Sequence, residues 1–500
     1  MAREAFYITT PIYYPNDRPH IGHAYTTVLA DVLARWNRLL GKDVFFLTGT
    51  DEHGLKLQRT AEKHGVSPKE FVDKMSAIFK SYWEKLQISY NRFIRTTDPD
   101  HVETVKLALS KIYSKGLIYK GVYKGWYCTS CEKFYSEGEY IEKDGVKLCP
   151  LHLKPLEWVE EESYFLKLSE YEDTVVRALE SGIVYPPQYA REVLGRIRKE
   201  GLRDVSITRP KERVYWGIEA PWDKSHTIYV WVDALLNYLT AIGYGRDEDR
   251  FKRYWSVVHH VIGKDILWFH TALWFAILAM LELPPPRRLL VHGFILCRGV
   301  KMSKTIGNIV SIDDLLETYG SSDAVRYLLA RFSTFEKDMD YDPDLFRNAY
   351  NAELADTYGN LVRRVGVLVR RKLGGVLRRR EVDEELARVA DEVKHDTMKL
   401  MDRYRVSEAL VRIFDLLREA NAYLNRKEPW RAEDPEPILY NAMEAVRVAT
   451  NMLAAFMPST AARLADVYGF RLLGLEELVF GSWESYRVKE APILFKKLRA

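Results

Sequence analysis

Two groups of residues in this chain suit chemistry on a nucleotide. His20 and His23 stand three apart in Pro19-His20-Ile21-Gly22-His23, and far downstream Lys301 and Lys304 bracket Met302 and Ser303. Two imidazoles and two ammonium groups match the charge of a nucleoside triphosphate. The histidine run follows a β-branched and aromatic stretch, Phe6 to Thr10, and a loop marked by Pro and Asn. It opens an amphipathic pattern that lasts to about Leu40. This predicts His20 and His23 on one face of a first helical turn, where unpaired backbone N–H groups and the helix dipole attract phosphate. Gly22 is expected to let the phosphates approach the backbone closely. Lys301 and Lys304 follow a buried-looking strand, Leu289 to Leu296, and precede a helical stretch starting near Asp313. A loop there, with Ser303 between its cations, is placed to close over a polyphosphate. Alone, the first motif would also suit a helix cap and the second a solvated basic turn. Their order along one chain is what points to ATP.

A second chemistry lies between them. Cys128-x-x-Cys131 is followed by Cys149-x-x-His152, with Gly145 turning the chain between. Three thiolates and an imidazole at two-residue spacing suit tetrahedral zinc. The protein supplies all four ligands and leaves no open position, so one structural zinc is expected. Cys297, before the lysine motif, reads as a small core residue.

The elements that must hold these groups alternate. From Phe6 to about Lys115 strand and helix patterns follow one another, including an apolar strand Val44 to Thr48 that runs into Gly49-Thr50-Asp51-Glu52-His53-Gly54. Such alternation implies a parallel sheet with ligands at its carboxyl ends. The expected class is α/β, a nucleotide-binding, Rossmann-like parallel sheet split by a zinc-bearing insertion and followed by an all-α helical bundle. The boundaries read as 1–115 for the first half of the sheet, 116–225 for the insertion, 226–300 for the second half, 301–350 for the lysine-loop region and 351–500 for the bundle. After about Asn351 the apolar period is helical almost to the end. At 500 residues the chain exceeds one core, so about three or four domains are expected. A net charge of only +4 advertises no global basic field, so any RNA contact must come from local patches. Four cysteines, three of them in the metal cluster, with no signal-like N-terminus and no apolar run of membrane length, point to the cytoplasm and to no membrane partner.

The histidine and lysine motifs resemble those of the class I aminoacyl-tRNA synthetases, and the resemblance covers nearly the whole chain. Thr10-Pro11-Ile12-Tyr13-Tyr14-Pro15-Asn16, Tyr229-Val230-Trp231-Val232-Asp233-Ala234 and Ile262-Gly263-Lys264-Asp265-Ile266 with His270 are similar to the methionyl-tRNA synthetase family within that class. The resemblance implies that Ile12, Tyr14, Trp231, Ala234, Tyr238, Ile266 and His270 line a methionine pocket and that Asp51 meets the substrate's ammonium group. Aromatic walls suit a thioether, at about 0.3–1.5 kcal/mol per sulfur–ring contact. It likewise implies ATP binding by His20, Gly22, His23, Lys301, Ser303 and Lys304 with Mg2+, and catalysis by the two histidines and two lysines. The region 301–350 would also contact the tRNA stem. Asn360-Leu361-Val362-Arg363-Arg364 and Glu428-Pro429-Trp430 are similar to the elements with which the family reads a CAU anticodon, through Asn360, Arg364 and Trp430.

The implied activity is ATP-dependent ligation of methionine to its tRNA through a methionyl-adenylate. A cysteinyl-tRNA synthetase is the nearest alternative, but it would place a cysteine where Tyr13 and Tyr14 stand. Other class I enzymes of this kind need a longer editing insertion. A small-molecule adenylyltransferase has no use for Asn360, Arg364 and Trp430, and an idle tRNA-binding protein none for intact histidine and lysine motifs. Thr305 stands where serine is commoner, which keeps the hydroxyl, and the zinc ligands form one knuckle pair that ends in histidine. No extra C-terminal RNA-binding module follows the bundle, so a monomer is expected.

Overall fold

The computed structural model describes residues 3–135, 137–302 and 307–499, so Ser303 and Lys304 of the lysine motif lie outside the described residues. Six strands form the central sheet: β1 (Ala5–Tyr13), β2 (Asp43–Thr50), β3 (Arg92–Arg95), β4 (Val184–Tyr185), β5 (Val258–Gly263) and β6 (Arg288–His292). Their order is β3-β2-β1-β5-β6-β4, and every neighbouring pair is parallel. Helices cover both faces, which is why β2 and β5 are buried almost throughout rather than on alternate residues. The strand order turns back between β1 and β5. That switch point opens a crevice at the carboxyl ends of the strands. Helix α1 (Ile21–Leu39) leaves the end of β1 and packs along the sheet.

The sixth strand was not expected. Val184–Tyr185 lies within 116–225, yet it pairs with β6 as the sheet's edge. Two residues are too few to show a period. The rest of that segment is built on a long antiparallel pair, Ile118–Cys128 with Glu157–Leu166, flanked by Lys133–Tyr135 and Val205–Ser206.

Beyond the sheet the chain is helical: α2 (Asn360–Leu373), α3 (Glu384–Asp402), α4 (Val406–Lys427), α5 (Glu436–Leu453) and α6 (Pro458–Tyr468). Local chemistry sets their ends. Asp383 caps α3 by accepting from Leu386 N, and left-handed Gly374, Glu428 and Gly469 stop α2, α4 and α6. The expectation of helix almost to the terminus needs correcting, since α6 ends at Tyr468. The segment that follows carries Gly469, Gly474, Gly481 and Pro492 and runs as a strap. It adds Ser485–Arg487 to Val376–Arg378, and returns so that Leu498 N donates to Asn351 Oδ1 at 2.8 Å. Buried Leu475, Leu478, Tyr486 and Phe495 hold it on the bundle.

One core spans the α1 face of the sheet and the bundle, and a second fills the opposite face. No helix among the described residues is long and apolar enough to cross a membrane.

Candidate active site

His20 is the N-cap of α1 and His23 its third residue, and they cap the helix reciprocally. Gly22 N donates to His20 Nδ1 at 3.0 Å, and His20 N donates to His23 Nδ1 at 3.1 Å. The ring centroids are 4.2 Å apart. This corrects the expected use of the helix terminus. Ile21 N is also taken, by the carbonyl of Val310 at 3.0 Å, so the first amides are spent inside the protein. The helix dipole still favours an anion at this end, and a neutral ring accepting at Nδ1 carries its proton on Nε2. Burial, then the His20 ring beside it, holds the His23 pKa well below the ordinary value. Gly22 has a further reason for its lack of a side chain: a Cβ there would sit 2.9 Å from His20 Cε1.

The lysine segment meets this helix. His20 forms an isolated antiparallel bridge with Ser311, on the return leg of the loop that begins at Lys301. Lys301 is exposed on a short hairpin, Ile295–Cys297 with Val300–Lys301. Its Nζ lies 4.6 Å from the Phe294 ring, whose other cationic neighbour, Lys264, is paired with Asp338 at 2.7 Å. Phe294 follows β6 and Lys264 follows β5, so the cations gather at carboxyl ends.

The carboxyl end of β2 delivers Asp51. Its carboxyl is buried, and Oδ1 has no hydrogen-bond partner among the described residues. Burial, then the nearby Asp233, Glu132 and Glu52 carboxylates, pushes its pKa well above the usual carboxylate range. A buried carboxylate oxygen left without a partner is costly unless a ligand supplies one. Asp233 is fully occupied by comparison, accepting from His53 Nδ1 at 2.6 Å and His101 Nε2 at 2.7 Å.

Asp233 belongs to the helix Val230–Leu235, which also carries Trp231 and Ala234. Trp231 stacks on Phe269 at 3.9 Å and meets His270 edge-on at 6.2 Å. Tyr238 OH donates to His270 Nε2 at 2.8 Å while His270 Nδ1 donates to Ile266 O at 3.1 Å, the pattern of a neutral ring. Burial lowers the His270 pKa to about 4. Ile12, Tyr14, Trp231 and Ile266 lie half-buried against this same core. Among the residues named from the sequence, the structure thus joins Trp231, Tyr238, Ile266 and His270 by direct contacts. Ile12 and Asp51 flank the end of β2, where Ile12 pairs with Gly49 and Asp51 N donates to Tyr13 O.

The ligand atoms of Cys128, Cys131, Cys149 and His152 all lie within 4.8 Å of one another, so the cluster could hold a metal ion. Cys131 Sγ is 3.4 Å from Cys149 Sγ and 3.2 Å from His152 Nδ1, and the cysteines are not disulfide-bonded. Soft donors converging on one point, with two of the thiols buried, fit a closed metal centre.

In the bundle, Asn360, Arg363, Arg364, Val367, Leu368 and Trp430 line one depression of about 400 Å³. The Arg364 guanidinium lies 4.6 Å from the Trp430 ring and donates to Asn425 Oδ1 at 2.8 Å. Asn360, Arg364 and Trp430 are therefore together, although Trp430 sits in the turn after α4 and the other two on α2.

The sequence assigns no role to Glu132, whose carboxylate accepts from Tyr14 OH and Lys56 N, nor to His53 or Lys264. His53 and Lys264 stand inside the quoted runs. Glu132 has no signal except its place after Cys131.

A parallel sheet with a histidine pair after its first strand and a lysine hairpin after its last main strand defines a nucleotide-dependent ligase. Residues 6–366 match the family described as tRNA synthetases class I (M). The methionine–tRNA ligase of Caldanaerobacter subterraneus subsp. tengcongensis is 42% identical over 99% of this chain and 79% of its own length. That of Thermotoga maritima is 41% identical over 94% and 76%. Among solved structures, methionyl-tRNA synthetase of Mycobacterium tuberculosis in complex with methionyl-adenylate superposes with a TM-score of 0.94 at 35% identity, covering 98% of this chain and 99% of that one. The chain belongs to the methionyl-tRNA synthetase family of class I.

Proposed function

We propose that this chain ligates methionine to its tRNA in two steps. A carboxylate oxygen of methionine attacks the α-phosphorus of ATP and pyrophosphate leaves; a ribose hydroxyl at the tRNA 3′ end then attacks the methionyl carbonyl and AMP leaves. The observation that carries the reading is Asp51, a buried carboxylate with an unpartnered oxygen beside an aromatic wall. An amino acid's ammonium is the partner it lacks, and a long thioether suits the wall. The reaction needs no protein nucleophile. His20 and His23 face the phosphates with N–H donors, and Lys301 and Lys304 stabilise charge on the departing pyrophosphate; a magnesium ion bound with ATP would add charge stabilisation there. Pyrophosphate exchange measured with each of the twenty amino acids tests the reading. Methionine should support it best, and a stronger response to cysteine or leucine would overturn it.

The metal at the knuckle is zinc in this reading, and its role is structural. Purified protein should carry about one zinc per chain, since a closed four-ligand site contributes folding free energy. The double variant Cys128→Ser, Cys131→Ser should lose it and lower exchange by about tenfold. Full activity in metal-free protein would refute the assignment.

Asn360, Arg364 and Trp430 read the anticodon, with Trp430 stacking on a base. Trp430→Ala should cost about 1–3 kcal/mol of tRNA recognition, seen as a raised KM for tRNA with pyrophosphate exchange intact. If both reactions fall together, Trp430 is a packing residue. The enzyme acts in this reading as a cytoplasmic monomer, which light scattering of the pure protein checks.

A further inference from the structure

We infer that Glu132 is the positioning residue through which the cysteine–histidine knuckle sets the methionine pocket; the inference rests on the reading of Tyr14 and Asp51 as pocket residues. Glu132 directly follows Cys131 and has a left-handed backbone, φ 50°, which costs a non-glycine residue about 1–2 kcal/mol. Its side chain leaves the knuckle and is buried, 5% exposed, under the carboxyl end of β2.

There Oε1 does two things. It accepts the backbone N–H of Lys56 at 2.6 Å and the Tyr14 hydroxyl at 2.8 Å. Lys56 is the second residue of the helix Leu55–Lys63, whose N-cap is Gly54, so the helix has no capping side chain of its own. Glu132 supplies the cap from 76 residues away, with its carboxylate at the positive end of the helix dipole. Gly54 is what admits it. With φ 106°, Gly54 comes so close that a Cβ would lie 2.5 Å from both Glu132 Oε1 and Tyr14 Oη.

That helix begins directly after Asp51-Glu52-His53-Gly54, and Tyr14 OH also lies 2.7 Å from His53 O. One carboxylate therefore holds the Tyr14 wall and the turn that carries Asp51. A second tie runs in parallel, as Arg59 of the same helix donates to Thr129 Oγ1, between the first two cysteines, at 3.1 Å. Glu132 acts on the substrate only through Tyr14 and this turn. Loosening it should affect methionine and spare ATP, whose contacts lie on α1 and the lysine hairpin.

The test is pyrophosphate exchange on the full chain with metal content measured in parallel. Glu132→Ala should raise the KM for methionine about tenfold or more, leave the KM for ATP within about twofold, and keep the metal. Glu132→Gln retains an acceptor oxygen and should restore the methionine KM to within about threefold. Tyr14→Phe, which leaves the knuckle untouched, should raise the methionine KM as well, and combining it with Glu132→Ala should add little, because both break one hydrogen bond. An unchanged methionine KM in Glu132→Ala, with Asp51→Asn impaired, overturns the inference and leaves the pocket standing. Loss of metal with both KM values rising, or full additivity with Tyr14→Phe, makes Glu132 a part of the knuckle fold and overturns it too. If Asp51→Asn binds methionine normally, the pocket reading falls and this inference with it.

Discussion

Asp51→Asn should weaken methionine binding by about 2–5 kcal/mol, the cost of removing one member of a buried, hydrogen-bonded charge pair. The change is nearly isosteric, so the pocket should keep its shape. Asp51 follows a strand buried in all but its first residue, and no basic side chain among the described residues is hydrogen-bonded to it. Asp233 next to it accepts hydrogen bonds from His53 and His101, whereas Asp51 Oδ1 is left for the ammonium. Calorimetry with methionine, and separately the KM for ATP in exchange, check it. An intact methionine affinity would remove Asp51 from the site.

The same carboxyl gives the site a pH dependence of known sign. The folded empty chain holds the Asp51 proton more tightly than the unfolded chain does, because burial and then Asp233, Glu132 and Glu52 raise its pKa above 3.8. The stability this contributes is fully present below that value and is lost as pH rises through the raised one. Methionine supplies a cation and removes the penalty. The gain in Tm on adding methionine should therefore grow with pH across that window, and Asp51→Asn should flatten the growth.

Sequence and structure part where contacts join distant residues. The metal ligands were legible because each knuckle is a local turn with fixed spacing, and α1 was legible because its apolar period is long. Which amide at its start meets which acceptor was not, since Val310 lies 289 residues beyond Ile21 and only the folded loop brings them together. Val184–Tyr185 carries no period, and the strap after Tyr468 contains enough apolar residues to imitate a helix although its glycines and Pro492 forbid one. Asp51 could be named by resemblance, but that its Oδ1 is left unpartnered among the described residues is a property of the packed site. Glu132 was invisible for the same reason. Its meaning depends on Tyr14, 118 residues away, and on a glycine that makes room for it.

Arg326 is another residue whose role only the packed structure discloses. It is fully buried in Ser322–Arg331 and pairs with Asp31 of α1 at 2.7 Å. Its remaining donors reach Leu86 O at 3.1 Å, Ala455 O at 3.2 Å and Phe456 O at 3.0 Å. Leu86 ends the helix Pro68–Lys85 beside the sheet, and Ala455 and Phe456 lie in the turn after α5 in the bundle. One guanidinium thus satisfies carbonyls at two helix ends and anchors both to α1, the helix that begins with the histidines. Burial would push the Asp31 pKa up, but Arg326, then Arg35 and the Ser89 donors, pull it below the ordinary value. That part of the stability is present at neutral pH and is lost as pH falls through the lowered pKa. Arg326→Met, close in volume but without donors, should cost about 3–5 kcal/mol, because carbonyls and a carboxylate stay buried with fewer partners. A chain with several cores need not unfold in one step, so the midpoint of the first denaturant transition is the quantity to compare. That midpoint should fall, and Arg326→Met should cost less when Asp31→Asn is already present, because the two side chains share one network. Unlike Trp430→Ala, the variant should lower pyrophosphate exchange and aminoacylation together when warmed, since the joint it loosens holds α1 as well as the bundle. An unchanged midpoint would mean that α1 and the bundle are held by their apolar contacts alone.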